Sequence, residues 1–170
     1  HKRDDQLPRY RFLWLAPDAH MDSAIRTSMP SANIRLAPWG VHVPGQVVAF
    51  SQAEQSISAA IIGSGKQGSA CSALLTALAQ LASICPQLFV FIDDAYVHAH
   101  HGLWKTIEHS GLVKRLSVIE NLEGRREPVL HADLLLQPET HGGHRSILLD
   151  AMAAGMAVVA RKDDEIEALA

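Results

Sequence analysis

The chain is short of cysteine, of basic charge and of long apolar runs, and each shortage narrows its reading. Cys71 and Cys85 are its only cysteines. Each lies in or beside an apolar helical pattern, so buried free thiols are expected rather than a disulfide framework. That suits a reducing compartment, and the expected location is cytoplasmic. No apolar run reaches the roughly 18 residues that a membrane span needs, and no secretory leader is legible. Fifteen Lys and Arg stand against 18 Asp and Glu, for a formal net charge of -3. This excludes the strongly basic face of a nucleic-acid binder. The basic residues are scattered, apart from short pairs such as Arg125-Arg126 and Arg161-Lys162. There is no internal repeat and no low-complexity stretch. An initiating Met is lacking too: the chain begins at His1 and stops at Ala170 inside a helical pattern. It reads as part of a longer protein.

What is present is enough for a sizeable core, since 48% of the 170 residues are hydrophobic and 19% charged. Short apolar, β-branched or aromatic runs predict buried strands at Ser58 to Ile62, Leu88 to Ile92, Leu116 to Ile119, Leu134 to Leu136 and Ala157 to Ala160. Amphipathic helical stretches lie between them, at Ser72 to Ile84, about Leu103 to Ser110, and Ser146 to Ala154, the last stopped by Gly155. Strand and helix in alternation, with strands that lack polar alternation, describe a parallel sheet covered on both faces. The predicted fold class is α/β, a Rossmann-like doubly wound sheet. Such sheets bind ligands outside the carboxyl ends of their strands. Chemistry is therefore expected in the loops after Ile62, Ile92, Ile119, Leu136 and Ala160.

The opening differs from this alternation. Phe12 to Ala16 reads as a strand, Met21 to Ser28 as a short helix, and Asn33 to Val43 as an extended, proline-punctuated connection. The predicted division is residues 1–45 as a lead-in or linker from a preceding domain, and 46–170 as the Rossmann-like domain.

The last third carries a specific pattern. It runs His131-Ala132-Asp133-Leu134-Leu135-Leu136-Gln137-Pro138-Glu139, then Gly142-Gly143-His144, then Leu148-Leu149-Asp150-Ala151-Met152-Ala153-Ala154-Gly155-Met156-Ala157-Val158-Val159-Ala160. This resembles the C-terminal domain of retaining GT-B glycosyltransferases, with its proline after a strand, its Gly-rich turn, its acidic residue before Ala-Met-Ala and its closing Gly-x-x-Val-Val-Ala. Weaker likenesses follow in the right order upstream, at Ile34 to His42, Ile61-Ile62-Gly63, Phe89 to Asp94 and Gly111 to Ile119. The resemblance covers about residues 30 to 165. It implies one half of a GT-B fold, which binds a nucleoside diphosphate sugar while an N-terminal domain of the same longer chain binds the acceptor.

The residues fit that chemistry in part. A diphosphate needs N–H donors and positive charge, and a helix N-terminus supplies both. Gly142-Gly143-His144-Arg145-Ser146 opens a helix after a strand; its glycines let a backbone approach, Ser146 can cap, and Arg145 can pair a phosphate. A tight turn with an exposed arginine is the alternative. Asp150 stands where the resemblance places a ribose-binding carboxylate; an acidic residue on an exposed helix face is its alternative. The family's first glutamate falls on Gly142, which has no side chain. Glu139 lies three residues earlier, where a loop glutamate is ordinarily solvated. The family's arginine and lysine after the first strand fall on Ser64 and Ser69, and Lys66 is the substitute on offer. The glycines around Lys66 do not have Walker A spacing.

The expected donor-binding set is thus Lys66, Gly142, Gly143, His144, Arg145, Ser146 and Asp150, with the catalytic residues unknown. No cofactor and no metal are expected. His98, His100 and His101, near Asp93 and Asp94, read as surface histidines rather than a zinc site. No Gly-x-Ser-x-Gly elbow of a hydrolase is present. The resemblance implies a glycosyltransferase of hexosyltransferase type, acting on an unknown acceptor. A catalytically inactive GT-B-like binding or scaffold domain is the alternative, favoured by Ser64, Ser69 and Gly142. An epimerase on the same architecture is weaker still.

Overall fold

The computed structural model describes residues 12–38, 40–41, 43, 56–99, 102–140 and 145–163, without the side chains of Glu127, Pro128 and Arg145. The chain divides into two compact units, His1–Gly40 and Val41–Ala170.

The first unit is a small β-α-β arrangement. Strands β1 (Leu13–Ala16) and β2 (Asn33–Leu36) pair in parallel, joined by helix α1 (Ala19–Ser28). The helix starts two residues before the predicted Met21, because Asp18 caps it: its carboxylate accepts from the Met21 N–H at 2.7 Å. An Asp22–Arg26 pair spaced one turn apart (2.8 Å) lies along its surface and holds the Asp22 carboxyl below its ordinary range. Large apolar side chains on and next to the strands remain exposed, among them Phe12 (67%), Leu15 (62%) and Leu36 (54%).

The second unit is a five-stranded, wholly parallel sheet in the order β5-β4-β3-β6-β7. Its strands are β3 (Ile57–Ile61), β4 (Leu88–Asp93), β5 (Leu116–Ile119), β6 (Leu134–Gln137) and β7 (Ala157–Ala160). This is the doubly wound α/β fold expected from the alternation. The first strand of the unit lies in the middle, flanked by the second and the fourth, which creates the topological switch point of such sheets.

Both faces are covered, which is why the strands lack polar alternation. Helix α2 (Gly68–Ile84), helix α3 (Asp94–His98) and helix α4 (Leu103–His109) bury Cys71, Leu75, Leu78, Tyr96, Leu103 and Ile107 against one face. Helix α5 (Arg126–Leu130) and helix α6 (Arg145–Ala153) bury Val129, Ile147, Leu148 and Ala151 against the other. The central strand contributes Ala59 to the first core and Ala60 to the second. Small residues at the middle of the sheet let helices pack closely on both sides.

Two sequence signals have clear structural causes. Gly155 ends α6 at φ +74°, where it donates to the Met152 carbonyl and Met156 donates to that of Ala151, the paired bonds of a Schellman cap. The Ala132-Asp133 pair serves the amino rim. Asp133, 5% exposed, accepts from the Ser58 N–H (2.8 Å) and hydroxyl (3.0 Å), and its own N–H returns to the Ser58 carbonyl (2.9 Å), pinning β6 to β3.

Both cysteines are free. Burial pushes the Cys71 thiol up, a neighbouring Tyr96 hydroxyl opposes the rise, and the Glu139 carboxylate adds to it. A thiol held protonated is unreactive at neutral pH. A disulfide reagent is therefore expected to label the half-buried Cys85 first and Cys71 only on unfolding; mass mapping of the labelled peptides checks the order.

Candidate nucleotide-binding rim

All five strands run the same way, so their carboxyl ends form one rim, where the loops after β3, β4, β5, β6 and β7 emerge. Two groups of polar side chains are assembled there.

The first is organised by Glu139, two residues beyond β6. It is not solvated: only 4% of it is exposed. Its carboxylate accepts from the backbone N–H of Ser64 and from that of Gln67 (3.0 Å), and the Cys71 thiol points at the same oxygen as Gln67 (3.7 Å). The loop after β3 is thereby held onto the loop after β6. Gln67 adds a second tie, donating its side-chain amide to the Thr140 hydroxyl (3.2 Å), while Arg161, just after β7, donates to its carbonyl oxygen (3.4 Å). Glycine is required at two positions of this loop. A Cβ on Gly63 would lie 2.8 Å from a Glu139 oxygen, and one on Gly65, at φ +72°, would lie 2.4 Å from the Tyr96 carbonyl oxygen.

Tyr96 lies under this loop, fully buried, and its hydroxyl lies near the Cys71 thiol without a well-formed hydrogen bond to it or to any other described residue. Burial drives its acidity far below that of an ordinary phenol. An unpartnered buried hydroxyl costs free energy. Tyr96→Phe is therefore expected to leave stability unchanged or raise it by up to about 1 kcal/mol, as read by urea denaturation.

Beside the loop a cleft of about 440 Å³ opens, lined in part by Gly63, Ser64, Lys66, Asp93, Asn121 and Glu123. Lys66 is exposed here. Asp93, at the end of β4, is already engaged: one oxygen caps α3 through the Ala95 N–H (2.8 Å) and the other accepts from the Leu122 N–H (2.6 Å). Of the histidine group, His98 pairs with Asp94 at 3.0 Å along α3, while His100 and His101 lie outside the described residues.

The second group stands on α6. Ser146 and Asp150, one helical turn apart, are joined by one side chain, Arg126 from the start of α5. The guanidinium ion-pairs with Asp150 and donates to the Ser146 hydroxyl at 3.0 Å. Asp150 is 19% exposed at its side chain and Arg126 48%. Gly142, Gly143 and His144 lie outside the described residues; Arg145 begins α6, and its side chain is outside the description.

Sequence reasoning missed two of these participants. Arg126 was visible only as half of a scattered basic pair, although it lies in the connection after β5, one of the loops expected to carry chemistry. Its register against Asp150, 24 positions on, depends on how α5 packs against α6. The second omission is a spacing: Gly63, Gly65 and Gly68 read G-x-G-x-x-G between a strand and a helix, as in dinucleotide-binding loops.

No protein-family model matches the chain, and no curated protein matches it. Its fold is found among solved structures. A mutant of S. aureus TarM in complex with fondaparinux, alpha-GlcNAc-glycerol and UDP superposes with a TM-score of 0.56 at 15% identity, over 88% of this chain and 30% of TarM. The pneumococcal O-GlcNAc transferase GtfA in complex with UDP and GlcNAc gives 0.53 at 12% identity, over 87% of this chain and 29% of GtfA. The GtfA/B complex gives 0.51 at 15% identity, over 90% of this chain and 31% of its match. The chain thus has the Rossmann-like fold found in GT-B glycosyltransferases, and spans about three tenths of the length of these neighbours. Among the described residues, no helix is long and apolar enough to cross a membrane.

Proposed function

We propose that this chain is the C-terminal, donor-binding domain of a retaining GT-B glycosyltransferase, which holds a nucleoside diphosphate sugar for transfer to an unknown acceptor. The observation that carries this reading is the Arg126–Asp150–Ser146 constellation on the first turns of α6, at the carboxyl rim of a sheet whose fold neighbours were solved with UDP. Asp150 accepts from the ribose hydroxyls. Arg126 fixes its rotamer and holds a positive charge over the first turns of α6. That charge, with Arg145 and Lys66, stands in for the cations absent at Ser64 and Ser69. Fixed charges and helix N–H groups stabilise the departing diphosphate in this scheme.

Catalysis requires the other half of the cleft. We infer that residues 1–45 lead in from a preceding N-terminal domain of the same longer chain. The exposed apolar side chains of β1 and β2 support this, because a two-stranded sheet is not stable alone. The free thiols accord with a cytoplasmic enzyme.

A thermal-shift titration with UDP, GDP, ADP and their sugars tests the donor role. A rise of several degrees with one base series is expected; no response to any of them at millimolar concentration overturns it. The second reading, a non-catalytic GT-B-like scaffold, is favoured by one observation: Glu139 already holds the loop in which the family's diphosphate-binding cations would stand.

A further inference from the structure

The loop after β3 has the parts of a phosphate seat. Gly63, Gly65 and Gly68 are spaced G-x-G-x-x-G between β3 and the 17-residue helix α2. Dinucleotide-binding folds use that arrangement to bring backbone N–H groups and a helix N-terminus onto a pyrophosphate. Here the same groups are turned onto an anion supplied by the chain. The Ser64 and Gln67 N–H groups both donate to the Glu139 carboxylate, which is almost wholly buried. The missing Gly63 side chain leaves the space one Glu139 oxygen occupies, 2.8 Å from where a Cβ would stand. In a nucleotide-binding loop that space admits a phosphate oxygen.

We propose that Glu139 is a built-in phosphate surrogate: its carboxylate fills the anion seat of the Gly63–Gly68 loop, closes that seat to phosphates, and leaves a latent pyrophosphate site that opens when the carboxylate is removed. The chemistry is one for one. A carboxylate and a phosphate oxygen pair accept from the same two N–H donors and carry the negative charge that the α2 N-terminus favours. A second anion brought to the filled seat meets like charge and finds those two donors taken. The inference concerns the β3 loop alone and does not depend on a donor site at Asp150.

The test uses the 170-residue chain with Glu139→Ala and Glu139→Gln, and inorganic pyrophosphate as the probe. Two quantities are measured: the urea midpoint against pyrophosphate, with sodium chloride at matched ionic strength as control, and the amide shifts of Ser64 and Gln67. Glu139→Ala, which empties the seat, is expected to gain stability saturably from millimolar pyrophosphate, and Glu139→Gln, whose amide still fills it, to gain less. At the Ser64 and Gln67 amides Glu139→Ala should show an apparent affinity at least about tenfold above the wild type. A variant too unstable to fold in buffer is expected to be refolded by pyrophosphate and not by chloride. The proposal is overturned if Glu139→Ala gains no more from pyrophosphate than from chloride, or if the wild-type Ser64 and Gln67 amides titrate as strongly as those of Glu139→Ala. Binding near α6 is read separately, at the Ser146 amide, so failure of the donor reading is distinguishable from failure of this one.

Discussion

Replacing Glu139 with alanine is expected to lower the unfolding free energy by about 3 kcal/mol, the largest stability loss predicted for any polar residue of the rim. The carboxylate accepts from two backbone donors, Ser64 and Gln67, inside a nearly closed environment. Hydrogen bonds to a charged group contribute about 1.5–3 kcal/mol each, and donors left buried without a partner incur their desolvation cost. Alanine removes both bonds and leaves a void beneath the loop. Glutamine keeps the shape and one acceptor but turns an amide NH2 toward a donor, so it should fall between alanine and the wild type. Urea denaturation of the three proteins gives the order. A loss below about 1 kcal/mol for Glu139→Ala would mean that the loop is held by its glycine-tight packing on Tyr96 instead.

Arg126→Ala and Asp150→Ala are each expected to weaken nucleotide binding by about 10–100-fold, the worth of one charge-assisted contact. Stability should change by less than about 1 kcal/mol, because the Arg126–Asp150 pair is partly solvated and such pairs contribute little to folding. The two measurements have to diverge. A structural ion pair shows a stability change with no effect on ligand; a donor site shows the reverse. Asp150→Asn keeps the hydrogen-bonding shape and loses the charge, so it should retain part of the ribose contact while releasing Arg126. Isothermal titration with the base identified by thermal shift, paired with urea denaturation of each variant, separates these outcomes.

Much of the fold was legible in the sequence because the inner strands of the sheet are covered on both faces. The five strands are mostly apolar, and Leu116–Ile119 and Ala157–Ala160 fall on their predicted bounds. Helix α2 begins four residues before the predicted Ser72, since its first turn, Gly68-Ser69-Ala70-Cys71, lacks apolar periodicity and is held from outside by Glu139. Helices α3 and α5, five residues each, are too short to show a period. The site was less legible for the same reason in every case: its contacts join residues far apart in sequence. Glu139 meets Ser64 across 75 positions, and Arg126 meets Asp150 across 24. A glutamate beside a proline reads as a loop residue until the strand order brings β6 against β3. The Ser58–Asp133 clamp, again 75 positions apart, shows that the same strand pairing also fixes the opposite rim.

A nucleoside diphosphate is expected to bind the carboxyl rim at the start of α6. Amide chemical-shift mapping of the chain with UDP, GDP and ADP tests it most directly. Saturable shifts are expected with one of the three, concentrated at Arg126, Ser146 and Asp150 and lost in Asp150→Ala. Shifts confined to the first unit, or none at saturating nucleotide, would contradict it.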